Sequence, residues 1–283
     1  MKHMRVAALM LAAVGAFALP LAGQQPAPPA QTGARGALPP GTVGPKEGGR
    51  GDQPLPEMKP VVWAPGKTRV LMIGGGSSHP YNTEYNPIDT AILEAAGYTV
   101  NYTEDRDQAA EALGGADVAL LSVNRRYFDA PNYRKALMDF AAAGKGIVLL
   151  HAGLWKMWPE WPEFYQQFAG GWALSHDRLG PFTVTVTKPA HPVMQGVPAT
   201  FTVEDELYHE NAEPASTEGA SPIEVLAETQ PSARYMTTHP SVWITSHPKA
   251  RIVGIALGHD HRVHDLPAFK TLLTNAVKWV SKK

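Results

Sequence analysis

The sequence predicts an α/β fold built on an open, doubly wound parallel sheet. Three observations carry this. Short apolar runs of strand length alternate with amphipathic stretches of helix length. Glycines stand where the helical patterns stop, as C-caps do. The region that shows this alternation, from about Lys67 to the end of the 283 residues, has the length of one α/β domain.

Taken in order, Arg69–Ile73 reads as the first strand and runs into Gly74-Gly75-Gly76. A helix is predicted over Pro87–Ala96, closed by Gly97, and a second strand over Tyr98–Tyr102. Asp107–Leu113 reads as a short helix and Asp117–Ser122 as the third strand. Pro131–Ala143 is the next helix, ended by Gly144, and Gly146–Leu150 the fourth strand. Consecutive parallel strands need right-handed crossovers, so this half is read as flavodoxin-like. The second half is less regular. Phe182–Thr187 alternates Val and Thr as an antiparallel strand would, and Phe201–Val203, Ile223–Ala227, Val242–Thr245 and Arg251–Leu257 read as additional strands. Pro267–Val280 carries Phe269, Leu272, Leu273, Val277 and Val280 at helical spacing.

The N-terminus has the pattern of an export signal. Lys2 and Arg5 precede an apolar, alanine-rich run from Val6 to Leu19, with Leu21-Ala22-Gly23 as one cleavage site and Ala16-Phe17-Ala18 as a second. An uncleaved anchor is the alternative. The expected domains are a signal peptide at 1–23, a Pro/Gly-rich tether at 24–65, and a folded domain at 66–283, and the expected location is periplasmic or secreted. Cleavage removes two positive charges and no acid, which takes the formal charge from −1 to −3. No membrane span is expected after cleavage.

Composition narrows the chemistry. No basic excess is present to neutralise phosphates, so no nucleic-acid partner is expected. The absence of cysteine excludes disulfides and thiolate chemistry, whereas eleven histidines allow an imidazole site. Gly74–Gly76 matches no phosphate-binding motif, and no nucleotide is expected.

Three histidines follow apolar strands: His79 in "GGGSSHPYN", His151 in "GKGIVLLHAG" and His259 in "RIVGIALGHD". Ligands of open α/β sheets bind beyond the carboxyl ends of the strands. The first two loops therefore open on one edge, and His259 joins them if its strand is parallel. "FTVEDELYHE" adds Glu206 and Tyr208, two apart and on one face of an extended chain, with Asp205 on the other. Imidazole with carboxylate suits a divalent metal or acid–base catalysis. The expected metal ligands are His79, His151, Glu206 and His259, with zinc or manganese as the ion. His151, Glu206, Tyr208 and His176 are the catalytic candidates. Trp155, Trp172, His239 and Asp260 are the candidates for substrate contact, and Trp155, Trp158, Trp161 and Trp172 form an aromatic cluster that suits either stacking on sugar faces or a hydrophobic lid. Glu204, Glu210 and Glu213 read as a solvated acidic turn, and His247, His261 and His264 as surface residues.

In this order, the segments "GKGIVLLHAG", "GGWALSH", "AHPVMQGVPATFTVEDELY", "HPSVW" and "ALGHD" resemble the ThuA-like family, named for trehalose utilisation. The resemblance spans about Lys67 to Lys283. It implies a fold akin to the class I glutamine amidotransferases, in which a cysteine nucleophile occupies the turn after the equivalent strand. His151 stands at that turn here. "SHPKAR" replaces the Gly-Lys-Gly-Arg turn of many relatives and keeps only Arg251.

The resemblance also implies carbohydrate catabolism through 3-keto sugars. A ketone at C3 acidifies the C2 hydrogen, a base removes it, and the group on C1 departs. The expected partner is a small-molecule carbohydrate, supplied by a sugar oxidoreductase of the same pathway. The alternative function is a non-catalytic carbohydrate-binding protein of the cell envelope.

Overall fold

The computed structural model describes residues 56–76, 78–212 and 221–282, without the side chains of 211 and 212. The expected signal peptide, the tether up to residue 55, and Glu213 lie outside the described residues.

A nine-stranded sheet forms the centre. Its strands are β1 (Arg69–Gly75), β2 (Thr99–Thr103), β3 (Val118–Val123), β4 (Gly146–Leu150), β6 (Gly180–Val186), β7 (Thr200–Asp205), β9 (Ile223–Thr229), β10 (Pro240–Thr245) and β11 (Ile252–Ile255). The order is β2-β1-β3-β4-β11-β10-β9-β6-β7. The first five strands of that order pair in parallel. The remaining four extend the sheet by antiparallel pairing. β11 is parallel to β4, which meets the condition set for His259.

Alternate residues of β1, β3, β4 and β11 face two separate cores, which is why these strands read as continuous apolar runs, whereas β2 is a partly buried edge strand. Val70, Met72, Leu120 and Val148 pack with α1 (Asn86–Ala95) and with the long C-terminal helix over Pro267–Val280. Leu71, Ile73, Leu121 and Leu149 face α2 (Arg106–Leu113) and α3 (Pro131–Ala142). Trp158, Trp161, Phe164 and Phe168 complete that second core. Trp158 and Trp161 are therefore buried core side chains rather than part of an exposed aromatic surface.

Two expectations shift. Residues 56–65, read as tether, lie along β2: Val62 exchanges hydrogen bonds with the Asn101 side chain, and Ala64 N–H donates to Thr99 Oγ1. A separate antiparallel pair, β5 (Gly171–His176) with β8 (Tyr208–Ala212), occupies segments in which no strand was expected. A short helix, α4 (His261–His264), precedes the C-terminal helix α5 (Pro267–Val280). Among the described residues, no helix is long and apolar enough to cross a membrane.

Candidate functional site

His79, His151, Glu206 and His259 converge beyond the carboxyl ends of β1, β4, β7 and β11. One ligand atom from each lies within 4.8 Å of all the others. His79 Nε2 is 3.1 Å from His259 Nδ1, which lies 3.2 Å from Glu206 Oε2. The same carboxylate oxygen is 3.6 Å from His151 Nε2, an ion-pair distance too long for a hydrogen bond.

His151 is held at an unusual place. It follows β4 directly, is fully buried, and has φ +40°, a conformation that costs a non-glycine residue on the order of 1–3 kcal/mol. Two contacts hold it there. Its Nδ1–H donates to the Ala256 carbonyl at 2.7 Å, on the neighbouring strand's exit. Gly153, two residues on, sits where a Cβ would come within 2.4 Å of the Leu121 carbonyl oxygen, so the turn lies flat on β3. Because a carbonyl only accepts, Nδ1 carries a proton, and in the neutral ring Nε2 turns its lone pair to the cluster. That Nε2 is buried and has no hydrogen-bond partner among the described residues. A ring nitrogen fixed by a carbonyl on its far side is the usual arrangement of a metal-binding histidine.

The other members fit the same donor set. His79 Nδ1 contacts Ser78 Oγ and the Tyr81 hydroxyl, which leaves Nε2 toward the centre. Burial, and then the neighbouring His151 and His259, lower the His79 pKa well below its ordinary value, so the ring stays neutral. Burial alone would raise the Glu206 pKa, but His151, His259 and His176 outweigh it and hold the group ionised. For His259, the Glu206 carboxylate outweighs desolvation and raises the pKa. Ligands about 2.0–2.2 Å from one ion stand up to roughly 4.4 Å apart, so small side-chain rotations close this cluster on a single cation. Three imidazoles and a carboxylate suit zinc or manganese.

Asp205 was assigned no role from the sequence, yet it organises the site. It is fully buried. Its Oδ1 accepts from the Glu206 and His259 backbone N–H groups at 2.8 and 3.0 Å, and its Oδ2 from Gly258 N–H at 2.7 Å. One carboxylate thereby fixes the two loops that carry Glu206 and His259. The signal was the strand alternation, since Asp205 shares the buried face of β7 with Val203. Burial raises its pKa against the effect of these donors.

The β5–β8 pair brings the next residues. Ala173 pairs with Glu210 and His176 with Tyr208, so Leu174 and Ser175 together oppose His209. This bulge re-aims the strand. His176 Nε2 lies 3.6 Å from Glu206 Oε1, and its Nδ1–H donates to the Asp177 carbonyl at 2.7 Å. The Tyr208 ring stacks on His151 with centroids 4.3 Å apart. Burial, and then Glu206 and other anionic or phenolic neighbours, raise the Tyr208 pKa far above its ordinary value, so the phenol keeps its proton. Half-buried Trp155 stands beside both, 5.8 Å from His176 and 5.5 Å from Tyr208 between centroids.

Three expected substrate-contact residues make other contacts. Trp172 lies under the Lys156 ammonium, 3.6 Å from the ring centre, and beside Tyr165. His239 is buried against Ser232 and His209. Asp260 caps α4 and grips Arg262, which holds its carboxyl down at about 2. Two surface assignments are corrected. Glu210 is buried, with no hydrogen-bond partner for either carboxylate oxygen among the described residues, and burial raises its pKa well above the ordinary value. His264 is fully buried, with Nδ1 2.6 Å from Asp89 Oδ1 and Nε2 3.1 Å from the Gly258 carbonyl oxygen. Its polar sequence neighbours hid this role.

Comparison with known proteins gives a consistent result. The family model ThuA, described as trehalose utilisation, matches residues 58–280. A putative ThuA-like protein from Parabacteroides merdae superposes with a TM-score of 0.65 at 18% identity, covering 76% of this chain and 90% of that one. A second, from Bacteroides uniformis, gives 0.63 at 21% identity, over 78% of this chain and 95% of the other. A cytoplasmic protein from Salmonella typhimurium gives 0.53 at 14% identity, over 76% and 100%. At these identities the structures support the fold alone. No curated protein sequence matches the chain.

Proposed function

The chain belongs to the ThuA family, described as trehalose utilisation, and from that premise we propose that it cleaves a 3-keto-glycoside by acid–base chemistry, with a divalent cation held by His79, His151, Glu206 and His259. The observation that carries this reading is the convergence of those four side chains from four loops on one sheet edge. A bound divalent cation supplies electrophilic stabilisation of an oxygen that gains negative charge, here the C3 oxygen.

The remaining roles fall to groups around the cluster. His176 is part-exposed, and its Nδ1 proton is committed to the Asp177 carbonyl, so Nε2 is the atom that accepts the C2 proton. Tyr208, kept protonated by burial, gives its proton to the oxygen leaving C1. Trp155 offers a ring face to the apolar side of the sugar. Addition of water across the resulting double bond completes a net hydrolysis. The ketone must be introduced upstream, which calls for a sugar oxidoreductase. The N-terminal sequence pattern supports a periplasmic or extracellular location.

The test is release of the leaving alcohol from a 3-keto-glycoside by the purified chain. His176→Ala and Tyr208→Phe are expected to lower kcat by about 10²–10⁴-fold, the usual contribution of a positioned acid or base. Full turnover by Glu206→Ala would contradict the reading. Saturable sugar binding with no turnover would replace it with a binding role.

A further inference from the structure

A second constellation lies on the other side of the β5 bulge and takes no part in the chemistry above. Ser175 Oγ is 2.9 Å from His209 Nδ1, and His209 Nε2 is 3.0 Å from Asp177 Oδ1. The proton positions follow from the partners. A carboxylate only accepts, so His209 Nε2–H donates to Asp177, and in the neutral ring Nδ1 accepts from the Ser175 hydroxyl. This links a nucleophile, a base and an orienting carboxylate, with the two ring nitrogens in exchanged roles relative to the Ser-His-Asp template, in which Nε2 faces the serine.

Each member is held. Asp177 Oδ2 accepts from the Ala233 backbone N–H at 2.6 Å, which ties it to the turn before β10. These backbone and histidine donors outweigh desolvation and lower its pKa, so it stays anionic. His209 is buried and packed between His239 and the Tyr235 ring, with centroids 5.2 and 4.8 Å away. Ser175 is only part-buried. The bulge gives this arrangement its cause, because without the extra residue Leu174 rather than Ser175 would oppose His209. The flanking segments expose large apolar side chains: Leu174, Leu179, Tyr235 and Met236. Met236 has φ +56°, in the left-handed region that favours glycine. Leu174 adjoins Ser175 in the chain and Tyr235 packs on His209, so both stand beside this pair and can contact the apolar part of an ester.

We propose that Ser175, His209 and Asp177 form a serine-hydrolase centre for carboxylic esters with a short apolar acyl group. Ser175 Oγ attacks the ester carbonyl carbon while its proton passes to His209 Nδ1. The bond from carbon to the alcohol oxygen breaks, and the departing alcohol takes that proton. Water, deprotonated by His209, then attacks the acyl-serine, which releases the carboxylic acid and restores the hydroxyl. Asp177 orients the ring and balances its charge throughout.

The test uses the full chain, with a fluorophosphonate probe and p-nitrophenyl butyrate. The expected result is a single covalent adduct, mapped by peptide mass spectrometry to Ser175, with ester hydrolysis that persists in EDTA. Ser175→Ala abolishes both, and His209→Gln lowers the labelling rate by about 10²-fold or more. A thermal melt of Ser175→Ala matching the parent shows that the loss is chemical. Absence of an adduct on Ser175 would overturn the proposal. So would hydrolysis that is unchanged in Ser175→Ala or lost in EDTA.

Discussion

Replacing Asp205 by Asn separates the organising role of this residue from simple packing. The side chain keeps its shape and loses one acceptor oxygen. With the amide oxygen at the Oδ1 position, the Glu206 and His259 N–H groups keep their partner and Gly258 N–H faces an NH₂ group. The opposite orientation leaves two donors facing it. The first is favoured, and it costs one hydrogen bond to a charged acceptor, about 1.5–3 kcal/mol. Removing a buried charge returns part of this, so the net loss of stability is expected to be about 2 kcal/mol. The sharper effect is on the site, because Glu206 and His259 are positioned through these bonds. Outer partners of metal ligands typically contribute 10–100-fold in affinity. The assay pairs urea unfolding with competitive zinc titration of the folded protein. Loss of stability without loss of metal affinity would refute the organising role, as would a variant within ~0.5 kcal/mol of the parent that keeps its affinity.

Further predictions concern neighbouring groups. Asp89 raises the pKa of His264 against desolvation, so the stability contributed by this pair is complete below the unfolded histidine pKa of about 6.5 and is lost as pH rises through the higher folded value. His264→Ala, which leaves Asp89 buried and unpaired, is expected to cost about 3–5 kcal/mol near neutral pH and to flatten that dependence, as read from urea unfolding at several pH values. Gly153→Ala forces a Cβ toward the Leu121 carbonyl oxygen and is expected to cost about 1–3 kcal/mol in the same measurement. Trp155→Ala is expected to raise KM for a 3-keto-glycoside by about tenfold with a smaller change in kcat, since about 1.4 kcal/mol of ring stacking is lost in ground and transition states alike.

The parallel half was legible because β1, β3, β4 and β11 are buried on both faces and each helix ends at a marked stop. Gly146–Leu150 and Pro267–Val280 fall where the apolar runs and helical spacing put them. The strand-end histidines were legible for the same reason, once topology gave them a common edge. β5 and β8 were not, because neither "GGWALSH" nor "YHENA" alternates apolar and polar residues as a half-buried strand does, and the two pair outside the main sheet. The bulge in β5 leaves no mark in composition, yet it decides which of Leu174, Ser175 and His176 faces which partner. His264 and Glu210 show the converse limit: polar sequence surroundings say nothing of a fold that closes over them.

The most direct measurement is elemental analysis of the purified chain beside His151→Ala and Glu206→Gln. The cluster predicts about one zinc or manganese ion per chain, bound in the parent and lost in both variants. An absence of bound ion in the parent, before and after reconstitution with either metal, would contradict a metal role for His79, His151, Glu206 and His259.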